Sequence, residues 1–172
     1  MSTEWEGRYL TIQKQGTWEY ATRAGDIAAA VIVAIDDGHV LLVEQFRVPI
    51  GRNCLELPAG LVGDETAGES VAVAAGRELE EETGYRAERI EDLGLFHSSP
   101  GMTSESFTLV RASGLTRVGD GGGDAQENIT VHRVAPEAVA GFVATKRREG
   151  VAIDAKMLLL LGSGLLEEAM GR

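Results

Sequence analysis

The residues with the clearest chemical potential are four glutamates in one short acidic segment, residues 77–85. In a helix, Glu78 and Glu82 lie one turn apart and project from the same side, with Glu81 beside them. Glu80 points to roughly the opposite side, towards solvent. Clustered carboxylates repel one another, and oxygen ligands of this kind suit hard divalent cations such as Mg²⁺ or Mn²⁺. The segment therefore indicates a metal site, with a solvated acidic helix face as the alternative.

The helix that must carry these glutamates is predicted over residues 69–83. Thr66 and Glu69 have the spacing of a capping box before it, and the segment contains no proline. Gly84 follows at the position where helices commonly end in a left-handed conformation. The glutamates are therefore expected on a short helix with a defined start and end.

The rest of the chain alternates short β-branched segments with turns. Asp37-Gly38 is a tight-hairpin signal between two apolar runs. We predict strands at residues 8–22 (one or two), 27–36, 39–47, 54–58, 89–96, 104–111 and 129–134, loops at 60–68 and 118–126, and helices at 136–148 and 153–169. The loop at 118–126 is expected to be mobile because of its composition. Hairpins without a regular strand–helix–strand alternation predict an α+β fold with a mixed sheet.

Length and charge limit the classes of function. The 172 residues suit one domain, residues 1–172, and 27 acidic against 16 basic side chains give a net charge of −11. This charge disfavours nucleic-acid binding and docking on anionic membranes. The single cysteine, Cys54, allows no intrachain disulfide and favours a cytoplasmic protein. The N-terminal residues lack a basic stretch followed by an apolar run, so no signal peptide is predicted.

The acidic segment and its surroundings match a longer pattern, G-x5-E-x7-R-E-U-x-E-E-x-G-U, in which U is apolar. The matching residues are Gly63, Glu69, Arg77, Glu78, Leu79, Glu81, Glu82, Gly84 and Tyr85. This is the Nudix box, and the sequence resembles the Nudix hydrolase family. In many members the first glycine follows a Leu-Pro-Ala stretch, which here precedes Gly60 rather than Gly63. We favour a three-residue loop insertion, with the formal match at Gly63 as the alternative.

The resemblance implies a Nudix-like α/β/α sandwich that hydrolyses a nucleoside diphosphate linked to another moiety, with Mg²⁺ or Mn²⁺ as cofactor. Glu78 and Glu82 would be the main metal ligands and essential for catalysis, Glu81 would assist, and the backbone carbonyl of Ala59 would be a further ligand. The remaining box residues, Glu69, Arg77, Gly60, Gly63 and Gly84, would orient the loop and the helix.

Outside the box, the chain is similar to the ADP-ribose pyrophosphatase branch. The similarity rests on Phe46-Arg47, on the turn Ser99–Glu105 with Pro100-Gly101, and on residues 127–131 and 153–156. It implies cleavage of ADP-ribose to AMP and ribose 5-phosphate. The implied roles are a general base for Glu127, diphosphate binding for Arg47, ribose binding for Glu105, base stacking for Trp18 and a substrate-side turn for Pro100 and Gly101. Ordinary loop, ion-pair or packing roles are the alternatives.

Two further expectations depend on the resemblance. The alternative activities are hydrolysis of another nucleotide sugar, such as GDP-mannose, and a catalytically silent domain that senses ADP-ribose. Branch members are usually homodimers, often with an exchanged N-terminal part, and residues 1–25 would be that part here. The expected partners are therefore a small nucleotide-sugar substrate and a second copy of the chain.

Overall fold

The computed structural model describes residues 1–63, 68–123 and 127–162. These residues contain two β-sheets, two α-helices and a helical segment at residues 158–162. The strands are β1 (Ser2–Glu6), β2 (Leu10–Gln15), β3 (Trp18–Arg23), β4 (Ala28–Asp36), β5 (His39–Arg47), β6 (Arg52–Glu56), β7 (Ala59–Val62), β8 (Tyr85–His97), β9 (Ser106–Arg117), β10 (Thr130–Val134) and β11 (Ala152–Ile153). The helices are α1 (Val71–Thr83) and α2 (Val139–Arg148).

The larger sheet has eight strands among the described residues and contains both strand directions. Its order is β11-β6-β5-β4-β9-β8, with β10 also pairing with β5 and β7 with β4. Strand β4 runs parallel to β9, and β11 runs parallel to β6. The predicted mixed sheet of an α+β fold is confirmed.

Strands β4 and β5 begin as a hairpin and then separate. They pair only at Ile35–Val40 and Asp36–His39, next to the turn. Further from the turn, β4 pairs with β7 and β9, while β5 pairs with β6 and β10. Because the two strands turn to different partners, a cleft opens between them.

The two helices cover opposite faces of this sheet, because neighbouring residues of a strand point to opposite sides. One buried cluster joins the sheet to α1 and contains Ala30, Ile32, Leu41, Ala75 and Leu79. The other joins it to α2 and contains Val31, Leu42, Val139 and Val143. The arrangement is an α/β/α sandwich, as expected from the resemblance.

The three N-terminal strands form a separate sheet in the order β1-β2-β3. Strand β1 was not predicted, since its five residues are all exposed and carry no apolar period. The sheet joins the rest of the protein through the loop before β9, where Ala21 N donates to Met102 O and Ser104 N donates to Ala21 O, both at 3.0 Å. Trp5 and Trp18 of this sheet are more than half exposed.

Strand β7 shows that the predicted loop over 60–68 is wrong at its start. Ala59–Val62 pair antiparallel with Ala28–Val31. Gly60 and the absence of a hydrophobic period hid this strand, and its partner is distant in sequence. Residues 64–67 lie outside the described residues.

Helix α1 begins two residues later than predicted. Its N-cap is Ser70, whose hydroxyl accepts from the amide of Val73 at 3.3 Å. The proposed capping box is therefore wrong, and its Thr66 lies outside the described residues. Gly84 ends the helix in the left-handed region with φ 75°, as predicted.

Several other boundaries also differ. Strands β8 and β9 are longer than predicted, and β6 begins earlier. A 3-10 turn at Pro136–Ala138 precedes α2, and the predicted helix over 153–169 is replaced at its start by β11 and a 3-10 turn at Ala155–Met157. Residues 163–169 lie outside the described residues. No helix in the described ranges is long and apolar enough to cross a membrane.

Candidate active site

A cavity of about 370 Å³ occupies the cleft between β4 and β5, beside α1. Small or apolar side chains, Ala29, Val31 and Phe107, contribute to its walls. Its charged and polar lining residues are Arg23, Gln45, Arg47, Glu56, Glu78, Glu82, Ser98, Glu105, Glu127 and Lys156. The fold brings seven of the predicted site residues to this one cavity: Glu78, Glu82, Glu127, Arg47, Glu105, Ala59 and Gly60.

Glu82 is a buried carboxylate of the cavity, with 4% of its surface exposed. Its Oε2 accepts a hydrogen bond from the backbone amide of Ala59 at 3.1 Å. Burial raises the pKa of Glu82 to about 8, and the nearby charges of Glu78 and Glu127 add to this rise. A buried carboxyl group among other carboxylates favours binding of a cation, because a cation removes their mutual repulsion.

Glu78 lies beside Glu82 on the cavity side of α1 and packs against Gly60. A Cβ atom at residue 60 would overlap the Glu78 carboxyl group, so Gly60 leaves the space that this side chain occupies. Arg77 Nη1 donates to Glu78 Oε1 at 3.0 Å and to Glu81 Oε2 at 3.3 Å. Glu81 does not line the cavity, and half of its side chain is exposed.

Arg77 and Glu69 connect the helix to the strand before it. Arg77 Nη2 donates to the carbonyl of Leu61 at 3.4 Å and lies 3.7 Å from Glu69 Oε2. Only 7% of the Glu69 side chain is exposed. These contacts join the middle of α1 to β7, and neither residue lines the cavity. The orienting role of Arg77 and Glu69 stays a prediction.

The residues around Glu82 fit a hard divalent cation. The candidate metal ligands are the carboxylate oxygens of Glu78, Glu82 and Glu127 and the carbonyl oxygen of Ala59. Oxygen is the ligand type that Mg²⁺ and Mn²⁺ prefer. In the described ranges, no three His, Cys, Asp or Glu side chains are already close enough to hold a metal ion. A Mg²⁺ ion held by one or two of these carboxylates would keep water molecules as its remaining ligands.

Arg47 faces this acidic end and is held by Glu56. Arg47 Nε and Nη2 donate to the two Glu56 oxygens at 2.7 and 2.9 Å. Only 5% of the Glu56 side chain is exposed, against 43% of Arg47. The ion pair raises the pKa of Arg47 further, so the guanidinium stays charged in the cavity. A fixed planar guanidinium of this kind can bind a phosphate through two hydrogen bonds.

The other end of the cavity is built around Glu105. Arg23 Nη2 donates to Glu105 Oε1 at 2.5 Å, and Ser98 Oγ donates to Glu105 Oε2 at 2.9 Å. Burial alone would raise the pKa of Glu105, but these bonds hold it below its usual value. Glu105 thus reaches the cavity, as predicted, but as part of an ion pair that the sequence did not indicate.

Lys156 is a third cation at the cavity. Its Nζ contacts Asp154 Oδ2 at 2.7 Å and lies 5.9 Å from the centre of the Phe107 ring. Asp154 also accepts from the Lys156 backbone amide at 2.7 Å, which fixes the turn after β11. Each of the three cavity cations therefore has a carboxylate partner.

Glu127 reaches the cavity from the loop before β10. The glycine-rich composition of residues 118–123 predicted a mobile loop. The structure instead shows these residues hydrogen-bonded to the end of α1. The amides of Gly122 and Gly123 donate to the carbonyls of Glu82 and Glu81 at 2.9 and 3.0 Å. Residues 124–126 lie outside the described residues.

Trp18, Pro100 and Gly101 do not line this cavity. They line a second groove of about 520 Å³, together with Gln15, Gly16, Tyr20, Thr103 and Ser104. The two spaces are neighbours, because the loop at 98–105 contributes Ser98 and Glu105 to one and Pro100 to the other. The predicted roles of Trp18 and of the Pro100-Gly101 turn are therefore not supported at the main cavity of a single chain.

The two candidate box glycines have different surroundings. Gly60 lies inside the site against Glu78, whereas Gly63 has φ 89° and no atom within 4 Å of the point where a Cβ atom would lie. Gly60 thus meets the metal-ligand candidates directly, whereas Gly63 follows β7 with a left-handed backbone.

Sequence reasoning missed Arg23, Glu56 and Lys156 as cavity residues. Arg23 and Glu105 are 82 positions apart, so no local pattern joins them. A signal for Glu56 was present, since an acidic residue inside the apolar strand 54–58 must face a partner or a site when it is buried.

Comparison with known proteins identifies the family of this chain. A model of the NUDIX domain matches residues 26–158. The chain belongs to the Nudix family. The expectation of a Nudix hydrolase similar to ADP-ribose pyrophosphatases is confirmed by this match together with a relative of that name.

One relative is the methanol dehydrogenase activator of Bacillus methanolicus, which is 33% identical over 144 residues, covering 83% of this chain and 74% of that protein. The ADP-ribose pyrophosphatase of Bacillus subtilis (strain 168) is 39% identical over 89 residues, covering 52% of this chain and 46% of that protein. This Nudix chain therefore aligns with less than half of the second relative. A crystal structure of an ADP compounds hydrolase has a TM-score of 0.70 at 24% identity and covers 97% of this chain and 92% of its own, which shows the fold.

Proposed function

We propose that this Nudix protein hydrolyses the diphosphate of ADP-ribose, or of a closely related nucleoside diphosphate sugar, to AMP and ribose 5-phosphate. The observation that carries the proposal is the meeting of Glu78, Glu82 and Glu127 with the cation Arg47 in one cavity. A diphosphate needs both kinds of group, cation ligands to neutralise its charge and a fixed arginine to orient it.

In this proposal Glu78, Glu82 and the Ala59 carbonyl hold Mg²⁺ or Mn²⁺, with Glu81 in a supporting role beside Arg77. The cation, when bound, offsets the charge of the diphosphate and makes its attack by water easier. Arg47 binds a phosphate oxygen while Glu56 fixes its orientation. Glu127 accepts a proton from the attacking water, and one phosphorus–oxygen bond of the bridge breaks as one water is consumed.

The sugar end of the substrate would lie towards Glu105, Ser98 and Lys156. A carboxylate, a hydroxyl and an ammonium can accept from and donate to sugar hydroxyl groups, and the side of Phe107 offers an apolar contact. The paired charges of Arg23 and Glu105 make this end close to neutral, which suits a polyol better than a further phosphate.

The Trp18 groove remains a proposal for the base. Trp18 is 61% exposed and stands beside Pro100, so a flat base could stack on it. The exposed Trp5 of β1 and the exposed Tyr9 in the turn between β1 and β2 support a homodimer that covers this face. A cytoplasmic location remains a prediction from the single cysteine.

Product analysis over a substrate panel tests the proposal. ADP-ribose, GDP-mannose, NADH and a diadenosine polyphosphate are incubated with the protein in Mg²⁺ and again in EDTA. Metal-dependent formation of AMP and ribose 5-phosphate, fastest from ADP-ribose, would support the proposal. Faster turnover of GDP-mannose would keep the chemistry and change the substrate, whereas no turnover with a raised Tm in ADP-ribose would indicate a sensor.

A further inference from the structure

The loop that leads to Glu127 is attached to the helix that carries Glu78 and Glu82. Residues 118–123, named here the glycine loop, cross the C-terminal end of α1. Four of its amides donate to that end: Val118 N and Gly119 N to the carbonyl of Gly84 at 2.8 and 3.1 Å, Gly122 N to that of Glu82 at 2.9 Å, and Gly123 N to that of Glu81 at 3.0 Å. These bonds satisfy carbonyl groups that the last turn of a helix leaves without partners.

The close approach of loop and helix depends on glycine. Gly121 has φ 68°, and a Cβ atom there would overlap the backbone of Thr83 and lie 2.6 Å from the carbonyl oxygen of Glu82. A Cβ atom at Gly84 would in turn overlap the carbonyl of Gly119. Neither contact can be relieved by a side-chain rotation, because backbone meets backbone.

Gly123 has a different neighbour. It has φ 72°, and a Cβ atom there would overlap the Glu127 carboxylate and lie 2.8 Å from Ile129 Cδ1. The amide of Ile129 donates to the carbonyl of Gly122 at 2.9 Å, which closes the loop around Glu127. Gly123 therefore leaves the space that the Glu127 side chain occupies.

We propose that Gly121 and Gly123 are positioning residues that hold Glu127 at a fixed place relative to the metal-ligand turn of α1. This inference rests on the proposed function, in which Glu127 acts on the attacking water. The attachment lets one rigid element, the end of α1, set the position of both the carboxylates that hold the cation and the carboxylate that takes the proton. Misplacement of such a group by about 1 Å can lower a rate by about 100-fold.

The test compares Gly123→Ala and Gly121→Ala with Gly38→Ala. Gly38 has φ 73° and no atom within 4 Å of its Cβ position, so its substitution produces the same backbone strain far from the cavity. We expect Gly38→Ala to lower the Tm while kcat on ADP-ribose stays within about twofold of the wild type. Gly123→Ala should lower kcat by about tenfold or more and change KM by less than about threefold.

A second readout separates positioning from general damage. In a Glu127→Gln background, Gly123→Ala should change kcat by less than about twofold, because the residue through which it acts is already disabled. Equal loss of kcat in both backgrounds would overturn the proposal. Amide hydrogen exchange gives a readout without turnover: the amides of Gly122 and Gly123 should be protected in the wild type and exchange faster in Gly121→Ala. Unprotected amides in the wild type would overturn the attachment.

The outcomes also separate this inference from the proposed function. A wild-type protein that turns over nucleotide sugars, with Gly123→Ala equal to Gly38→Ala, overturns the positioning role alone. A wild-type protein that turns over no member of the substrate panel overturns the proposed function and the positioning role with it. If Gly121→Ala does not fold, Gly123→Ala carries the test, since its new methyl group meets a side chain that can move.

Discussion

The backbone amide of Ala59 donates a hydrogen bond to Oε2 of Glu82 at 3.1 Å. This bond joins the first residue of β7 to the last turn of α1 across the cavity. It also explains why Glu82 is buried without an arginine or lysine bonded to it among the described hydrogen bonds. The same carboxylate is left with an oxygen that can turn towards a cation.

Arg47→Lys tests the fixed guanidinium. Lysine keeps the positive charge but cannot make the bidentate hydrogen bond to Glu56. The side chain at position 47 therefore loses its fixed orientation towards the phosphate. We expect KM for ADP-ribose to rise by about tenfold, which corresponds to the ~1.4 kcal/mol expected for part of a charge-assisted hydrogen bond. Steady-state kinetics measure it, and Glu56→Gln should raise KM in the same direction. An unchanged KM in both variants would show that Arg47 is only a surface ion pair.

Glu127→Gln tests the general base. The amide has nearly the same shape but cannot accept the proton, so kcat should fall by about 100-fold while KM changes by less than about threefold. Rapid-quench and steady-state kinetics at saturating Mg²⁺ measure both constants. A variant with the wild-type kcat would assign the proton transfer to another group.

Lys156→Met tests the third cation of the cavity. Methionine fills a similar volume beside Phe107 without charge or hydrogen-bond donors. KM for ADP-ribose should rise by about threefold to tenfold as one hydrogen bond from a charged group is lost. The matched control is Lys14→Met, because Lys14 is paired with Glu19 at 2.8 Å in the separate N-terminal sheet. Equal kinetics for the two variants would remove Lys156 from the substrate site.

The acid stability of the fold should depend on Glu44. Burial opposes its ionisation, but bonds from Lys146, Asn53 and His132 lower its pKa to about 2. Because the folded pKa lies below the unfolded value near 4.5, the stabilisation is complete above pH 4.5 and is lost as the pH falls towards 2.

Urea unfolding of the wild type and Glu44→Gln between pH 6 and pH 3 measures this contribution. The difference between the two proteins in free energy of unfolding should shrink by about 2 kcal/mol over that range. Glu80→Gln is the control, since Glu80 is an exposed partner of Arg86. A difference that does not change with pH would show that Glu44 is not the group that titrates.

The parts of the fold that were predicted from the sequence are those with local signals. Strand β5 has the predicted bounds, because Asp37-Gly38 defines the turn and an unbroken apolar run follows it. Gly84 ends α1 as predicted, since the left-handed cap is a property of one residue. Strand β7 was missed because it pairs with β4, which is distant in sequence. Strand β1 pairs with its neighbour β2, but its five exposed residues carry no apolar period that would predict a strand.

The features of the candidate site also divide into those with a local sequence signal and those without one. Glu78 and Glu82 follow from helical spacing, and their common wall of the cavity confirms that geometry. The pairs Arg23–Glu105 and Arg47–Glu56 depend on how β3, β5, β6 and the loop before β9 meet in space. The attachment of the glycine loop to α1 was also not predictable, because glycine-rich composition by itself is typical of a mobile segment.

The central claim is that the buried carboxylate of Glu82 holds the cation on which diphosphate hydrolysis depends. The most direct measurement is ADP-ribose turnover against Mg²⁺ concentration for the wild type, Glu82→Gln and the control Glu80→Gln, whose side chain is on the opposite side of α1 and bonded to Arg86 at 2.8 Å. The account predicts that Glu82→Gln folds, with kcat reduced by about 100-fold or more, while Glu80→Gln responds to Mg²⁺ as the wild type does. Mg²⁺-dependent turnover of Glu82→Gln at the wild-type rate would contradict it.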